Sequence, residues 1–159
     1  MEEYYRVELY DKNKGSTRGG FVAAALAMFH IKLGVSPDIT DEQRIELMAN
    51  STDPEVKYLS GLMGVLLGEV DPPEEYVVDK LNRFCLFTPQ DFANKEIFFE
   101  SLSEYVDSYL PHCKLVYCII NLSPDEIMYE DEHQVVVSRE VYEKHQPITY
   151  YEFNDEEVY

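Results

Sequence analysis

The sequence predicts an α+β fold: an N-terminal strand, a helical block, and then a mainly antiparallel C-terminal strand cluster packed on helices. Three observations predict it. Apolar and polar residues alternate in YYRVELY, residues 4–10, as a half-buried strand requires. Helix-capping signatures recur between residues 34 and 91. Beyond residue 113, apolar β-branched runs are separated only by short polar turns. The βαβ alternation of a Rossmann sheet does not occur.

Each element follows in turn. DKNKGSTRGG ends the first strand with three glycines, and Ser16 or Thr17 is expected to cap the next helix. That helix, FVAAALAMFHIKL, is apolar on nearly every side and reads as buried, with His30 a core or boundary residue. Gly34 closes it. Thr40 with Gln43 forms a capping box for DEQRIELMAN, and Asp53-Pro54 opens a third helix over 54–68, whose small residues at 61, 64 and 68 suggest close packing on a neighbour. Asp71-Pro72-Pro73 is the strongest punctuation. Neither half has its own core, so residues 1–159 read as one domain with an internal break near 71–75. EEYVVDKLNRF has helical apolar spacing, CLFT is a short buried run, and Thr88-Pro89 with Asp91 caps a long amphipathic helix. KLVYCIINL reads as a central strand, IMYEDEHQVVVS as a second and ITYYEF as a third, with a short helical connection between the last two.

Composition narrows the function. The 159 residues are 45% hydrophobic, enough for a real core, yet 31 acidic residues outweigh 13 basic ones for a net charge of −18. Such a charge repels nucleic acid and anionic membranes and favours a basic partner, above all a surface that holds nucleic acid. Three cysteines without a CxxC pair argue against a disulfide framework or zinc site, and the four histidines lack metal-ligand spacing. With no signal peptide or bilayer-length apolar run, the chain is expected in the cytoplasm. GSTRGG is neither GxxxxGK[ST] nor GxGxxG. Thirteen tyrosines among many carboxylates suit protein binding instead, because a rigid ring buries area while its hydroxyl stays satisfied. The expected anchors are Glu130, Asp131 and Glu132, with Tyr150, Tyr151, Asp155, Glu156, Glu157 and Tyr159 in YYEFNDEEVY. A single strand through EDEHQ would set Glu130, Glu132 and Gln134 on one face.

YYRVE, FCLFTPQDF and EDEHQVVVS, in that order, resemble the arginine strand, the Ser/Thr strand and the ExE-type strand of small ADP-ribosyltransferase domains. The resemblance implies NAD as cofactor. Arg6 would hold its phosphates, Thr88 would shape the nicotinamide pocket, and Glu132 would hold a ribose hydroxyl and stabilise oxocarbenium-like charge. Gln134 departs from the family pattern. It stands directly before the apolar strand, where the family has its glutamate, and an amide cannot supply the negative charge. In size and composition the chain also resembles acidic phage-encoded inhibitors and nucleic-acid mimics, including anti-CRISPR proteins. That resemblance implies carboxylates paired with the Lys/Arg rows that grip phosphate. On the Gln134 substitution, binding without a cofactor is the expected function, and the transferase or a catalytically silent nucleotide-binding relative is the alternative.

Overall fold

The computed structural model describes residues 2–36, 38–67, 83–145 and 149–153. Its central element is β1 (Glu2–Asp11), where the alternation read from the sequence becomes a two-sided strand. Val7 and Leu9 point to one face of the sheet, and Tyr4 to the other. All of β1 pairs with β4 (Cys113–Leu122), from Glu2↔Leu122 to Asp11↔Cys113. The opposite edge of β1 is shared. Tyr5 pairs with β3 (Arg83–Phe87), while Glu8–Asp11 pair with β2 (Ser16–Gly20) across a bulge between Glu8 and Tyr10. β3 continues to β6 (Gln134–Ser138), β6 to β5 (Tyr129–Glu130), and β4 to β7 (Tyr151–Glu152). The order is β5-β6-β3-β1-β4-β7 with β2 beside β1, every pairing is antiparallel, and strands from both sides of residues 71–75 join the same sheet. This is an α+β fold.

Three helices cover one face: α1 (Phe21–Leu33), α3 (Pro54–Leu67) and α4 (Pro89–Tyr109), with α2 (Asp41–Asn50) lying against α3. Ala24, Met28, Val56, Leu59, Phe99, Leu102 and Val106 form the core there with Val7, Leu9 and Leu115. The other face packs Tyr4, Leu86, Cys118, Ile120, Val135, Val137 and Tyr150 beneath the short helix α5 (Arg139–Lys144), which contributes Tyr142. Because both faces are covered, β4 is apolar almost throughout rather than alternating.

The helix signals act as the sequence indicates. Gly34 takes a left-handed conformation (φ 67°), which glycine adopts without steric cost, to end α1. Thr40 and Gln43 form the full capping box of α2, and Thr88 caps α4 by accepting from the Asp91 amide. His30 accepts a hydrogen bond from Arg44 at 3.2 Å. The three cysteines form no disulfide.

Four expectations change. Residues 16–20 are a strand, and the N-cap of α1 is Gly20 with no side-chain hydrogen bond, so neither Ser16 nor Thr17 caps it. Gly61 faces open space rather than a neighbouring helix. Arg83 and Phe84 belong to β3, and the rest of the EEYVVDKLNRF helix, 74–82, lies outside the described residues. Finally, IMYEDEHQVVVS is a hairpin, not one strand: Glu130 pairs with Val135, and the chain turns through 131–133. The shared face expected for Glu130, Glu132 and Gln134 therefore does not exist, because alternation stops where the strand turns.

Candidate functional site

The register Tyr5↔Phe87↔Gln134 sets the three segments of the transferase-like pattern side by side in the sheet. Their side chains nevertheless diverge. Phe87 packs in the helix-side core, and Gln134, its direct cross-strand partner, shares that face. Arg6 follows Tyr5 and so takes the opposite face, where its guanidinium lies 5.5 Å from the centre of the Tyr142 ring. Gln134 is completely buried. Its Nε2 donates to Asp131 at 3.3 Å, and its Oε1 has no donor among the described residues. The Thr88 hydroxyl donates to the backbone carbonyl of Glu132 at 3.0 Å, whereas the Glu132 carboxylate stands in solvent. Thr88 and Glu132 are thus brought together, whereas Arg6 and Gln134 lie on opposite faces of the sheet.

Arg6 is held in a buried polar cluster. Its Nε lies 3.1 Å from Glu8 Oε1, and Nη1 donates to the Cys85 carbonyl at 3.0 Å. Glu8 also accepts from the Tyr142 hydroxyl, while its second oxygen has no donor among the described residues. Burial, reinforced by the Glu8 charge, pushes the Tyr142 phenol well above its ordinary value. Burial likewise lifts the Cys118 thiol to about 12, so this cysteine is no nucleophile at neutral pH.

A second network locks the hairpin to α4. Asp91 and Lys95, both buried, pair at 2.5 Å one turn apart, and Asp91 meets His133 Nδ1 at 2.9 Å. Asp131 accepts from the His133 and Gln134 amides at 2.8 and 3.0 Å and from the Tyr129 hydroxyl at 3.0 Å. Desolvation pushes the Asp131 carboxyl up, but these donors outweigh it and hold the group below its ordinary value. Asp131 is therefore the brace of the turn, with its oxygens already engaged. Of the expected anchors, Glu130 and Glu132 are exposed and Tyr151 is half-buried, stacked on Tyr117 at 5.4 Å. Tyr150 is a core residue at 8% exposure, so it presents no ring to a partner, a correction that follows from its packing with the α5-side cluster. Asp155, Glu156, Glu157 and Tyr159 lie outside the described residues.

A further acidic row lies on α4, and its residues were not among the expected anchors. Glu96, Glu100, Glu104 and Asp107 recur at helical spacing within an arc of about 80°, along roughly 16 Å of axis. One carboxylate every ~6 Å is about half the linear charge density of a single nucleic-acid strand. Lys114 holds the Asp107 end at 2.9 Å; Glu96 and Glu104 are exposed. Tyrosines border the row on both sides. Towards the sheet, Tyr5, Tyr117 and Tyr151 form a ladder across β1, β4 and β7. Burial first, and then the nearby Glu96, Tyr5 and Tyr151, raise the Tyr117 phenol. Towards α3, Tyr58 and Tyr105 meet at 5.7 Å. The signal that could have found the row was present in the sequence: the 96/100/104/107 spacing is the polar complement of the apolar face that marks the helix.

Among the described residues, no group of three or more His, Cys, Asp or Glu side chains is arranged to hold a metal ion, and no helix is long and apolar enough to cross a membrane. No family model matches the chain, and no curated protein or solved structure matches it either.

Proposed function

We propose that the chain is an acidic protein-binding module that inhibits a nucleic-acid-handling protein of the kind phage and mobile elements target. It occupies the basic surface that otherwise grips phosphate. The observation that carries this reading is the carboxylate row of α4 set between two groups of tyrosines. Carboxylates at helical spacing pair with Lys/Arg rows and exclude the nucleic acid, while the rings supply apolar area. Glu130 and Glu132 extend the negative charge at the hairpin beside the N-terminus of α4.

The test is capture from a bacterial lysate at low and high salt, with duplex DNA or RNA as competitor and labelled NAD in a parallel reaction. The expected result is capture of a nucleic-acid-binding protein that salt and competitor both release, and that the triple change Glu96→Gln, Glu100→Gln, Glu104→Gln weakens at least tenfold. Capture indifferent to salt, competitor and the triple change overturns the reading. Transfer of label from NAD establishes the ADP-ribosyltransferase alternative in its place.

A further inference from the structure

Between α3 and α4 lies a shallow cleft of about 280 Å³, lined by Tyr58, Ser101, Glu104, Tyr105 and Ser108. None of these lining residues is basic. One carboxylate and two hydroxyls can accept hydrogen bonds there, and Ser108 already donates its own proton to the Glu104 carbonyl at 3.2 Å. Two rings complete the wall: Tyr58, half-exposed at 49%, and Tyr105, tilted 32° from it.

The neighbouring turn of α4 shows what this chemistry holds. Tyr105 and Tyr109 stack with an interplanar angle of 4°. Over the Tyr109 ring, 5.3 Å from its centre, sits the Lys32 ammonium, which also pairs with Asp53 and Glu55 at 3.2 Å each. The molecule therefore holds one of its own cations between a tyrosine, through its ring and hydroxyl, and carboxylates. One turn earlier the same combination recurs, with Tyr105 and Tyr58 as rings and Glu104 as carboxylate, and the cleft opens outward.

We propose that this cleft is a subsite for one arginine side chain of the basic partner. The inference rests on the reading of the chain as a binder of basic proteins and adds the point of selectivity within that surface. A guanidinium is planar, stacks on aromatic faces and donates through five N–H groups, which suits two rings, a carboxylate and two hydroxyl oxygens. A lysine ammonium is a point charge, more strongly hydrated, and gains less from the rings. The row of Glu96 and Glu100 attracts either cation; the cleft distinguishes them.

The experiment uses the full chain and two probes, a hexa-arginine and a hexa-lysine peptide, titrated calorimetrically at low salt. The wild type is expected to bind the arginine peptide about tenfold more tightly. Tyr58→Ala with Glu104→Gln weakens the lysine peptide only as much as Glu96→Gln does, through the lost charge, and weakens the arginine peptide about tenfold more, so the preference disappears. Tyr58→Phe, which keeps the ring, retains the preference, and Glu96→Gln weakens both peptides alike. Circular dichroism confirms that each variant is folded, and Tyr58 is exposed enough to be replaced without opening the core. An equal loss for both peptides in the double variant, or no arginine preference in the wild type, overturns the subsite while leaving the charge-based function standing. Failure of both peptides to bind, with no effect of Glu96→Gln, overturns the function and the subsite together.

Discussion

Replacing Gln134 by Glu introduces the residue type that the transferase-like pattern has before its apolar strand, and the structure predicts that the change is damaging. Gln134 is fully buried, and its amide already faces the Asp131 carboxylate. An introduced carboxyl loses hydration and meets a like charge, so its charged form is disfavoured twice. In the unfolded chain a glutamate ionises near pH 4.3, and each pH unit over which folding blocks ionisation costs about 1.4 kcal/mol. Full burial can block ionisation over roughly 3–5 units. At pH 7 only about 2.7 of these count, which sets the cost near 4 kcal/mol. The sign follows from a pKa raised in the folded state. Below about pH 4 both states are protonated and the penalty vanishes; it grows as pH rises towards 7. Urea unfolding of Gln134→Glu and wild type at pH 4 and pH 7 measures this, and at pH 7 the Tm should fall by about 7–15 °C. Gln134→Met keeps the volume, removes the unpaired Oε1 and should stay within about 1 kcal/mol of wild type. A Gln134→Glu protein as stable as wild type at pH 7 would refute the reasoning, because the carboxyl would then be hydrated as a working site requires.

Three further outcomes are expected. Arg6→Leu strands the Glu8 carboxylate and should cost about 3–5 kcal/mol, whereas Arg6→Leu with Glu8→Leu should cost less than Arg6→Leu alone; thermal melts of the two variants decide it. The Glu126 carboxyl, held at about 2 instead of its ordinary 4.5 by the Ser123 amide first and His145 next, should titrate near 2 by carbon-detected NMR. Since its pKa is depressed on folding, its stabilisation is complete above pH 4.5 and is lost as pH falls from there towards 2. Thr88→Ala removes a helix cap and the bond to the Glu132 carbonyl, and should lower stability by about 1–2 kcal/mol in denaturant melts while Thr88→Ser recovers most of it.

The parts of the fold that were legible in the sequence are those decided locally. Thr40 with Gln43, Gly34 and Thr88 act over three or four residues, and their signatures survive folding unchanged. The β2 strand was hidden because STRGG has the composition of a loop; pairing with β1 across a bulge, a tertiary effect, makes it a strand. The hairpin at 131–133 was hidden because it contains no glycine or proline, and Asp131 builds the turn with its own carboxylate. Period-two reading carried through that turn and set Glu132 beside Gln134. The Arg6–Glu8–Tyr142 cluster joins residues 134 positions apart, so no spacing rule could reveal it. The α4 row was different. Its periodicity is readable, as the polar complement of the apolar face that marks the helix.

Thr88 stands at a junction whose consequence is mechanical. Its hydroxyl accepts from the first turn of α4 and donates to the hairpin that carries Glu132, while Asp91, in that same turn, grips His133. The hairpin tip and the carboxylate-bearing helix are therefore tied together at two points. In the proposed binding, a load on Glu132 passes through these ties to the α4 backbone. The backbone spacing between the two sets of negative charge is thus set by the fold, so in the proposed binding the ordering entropy still to be lost is that of the exposed carboxylate side chains themselves.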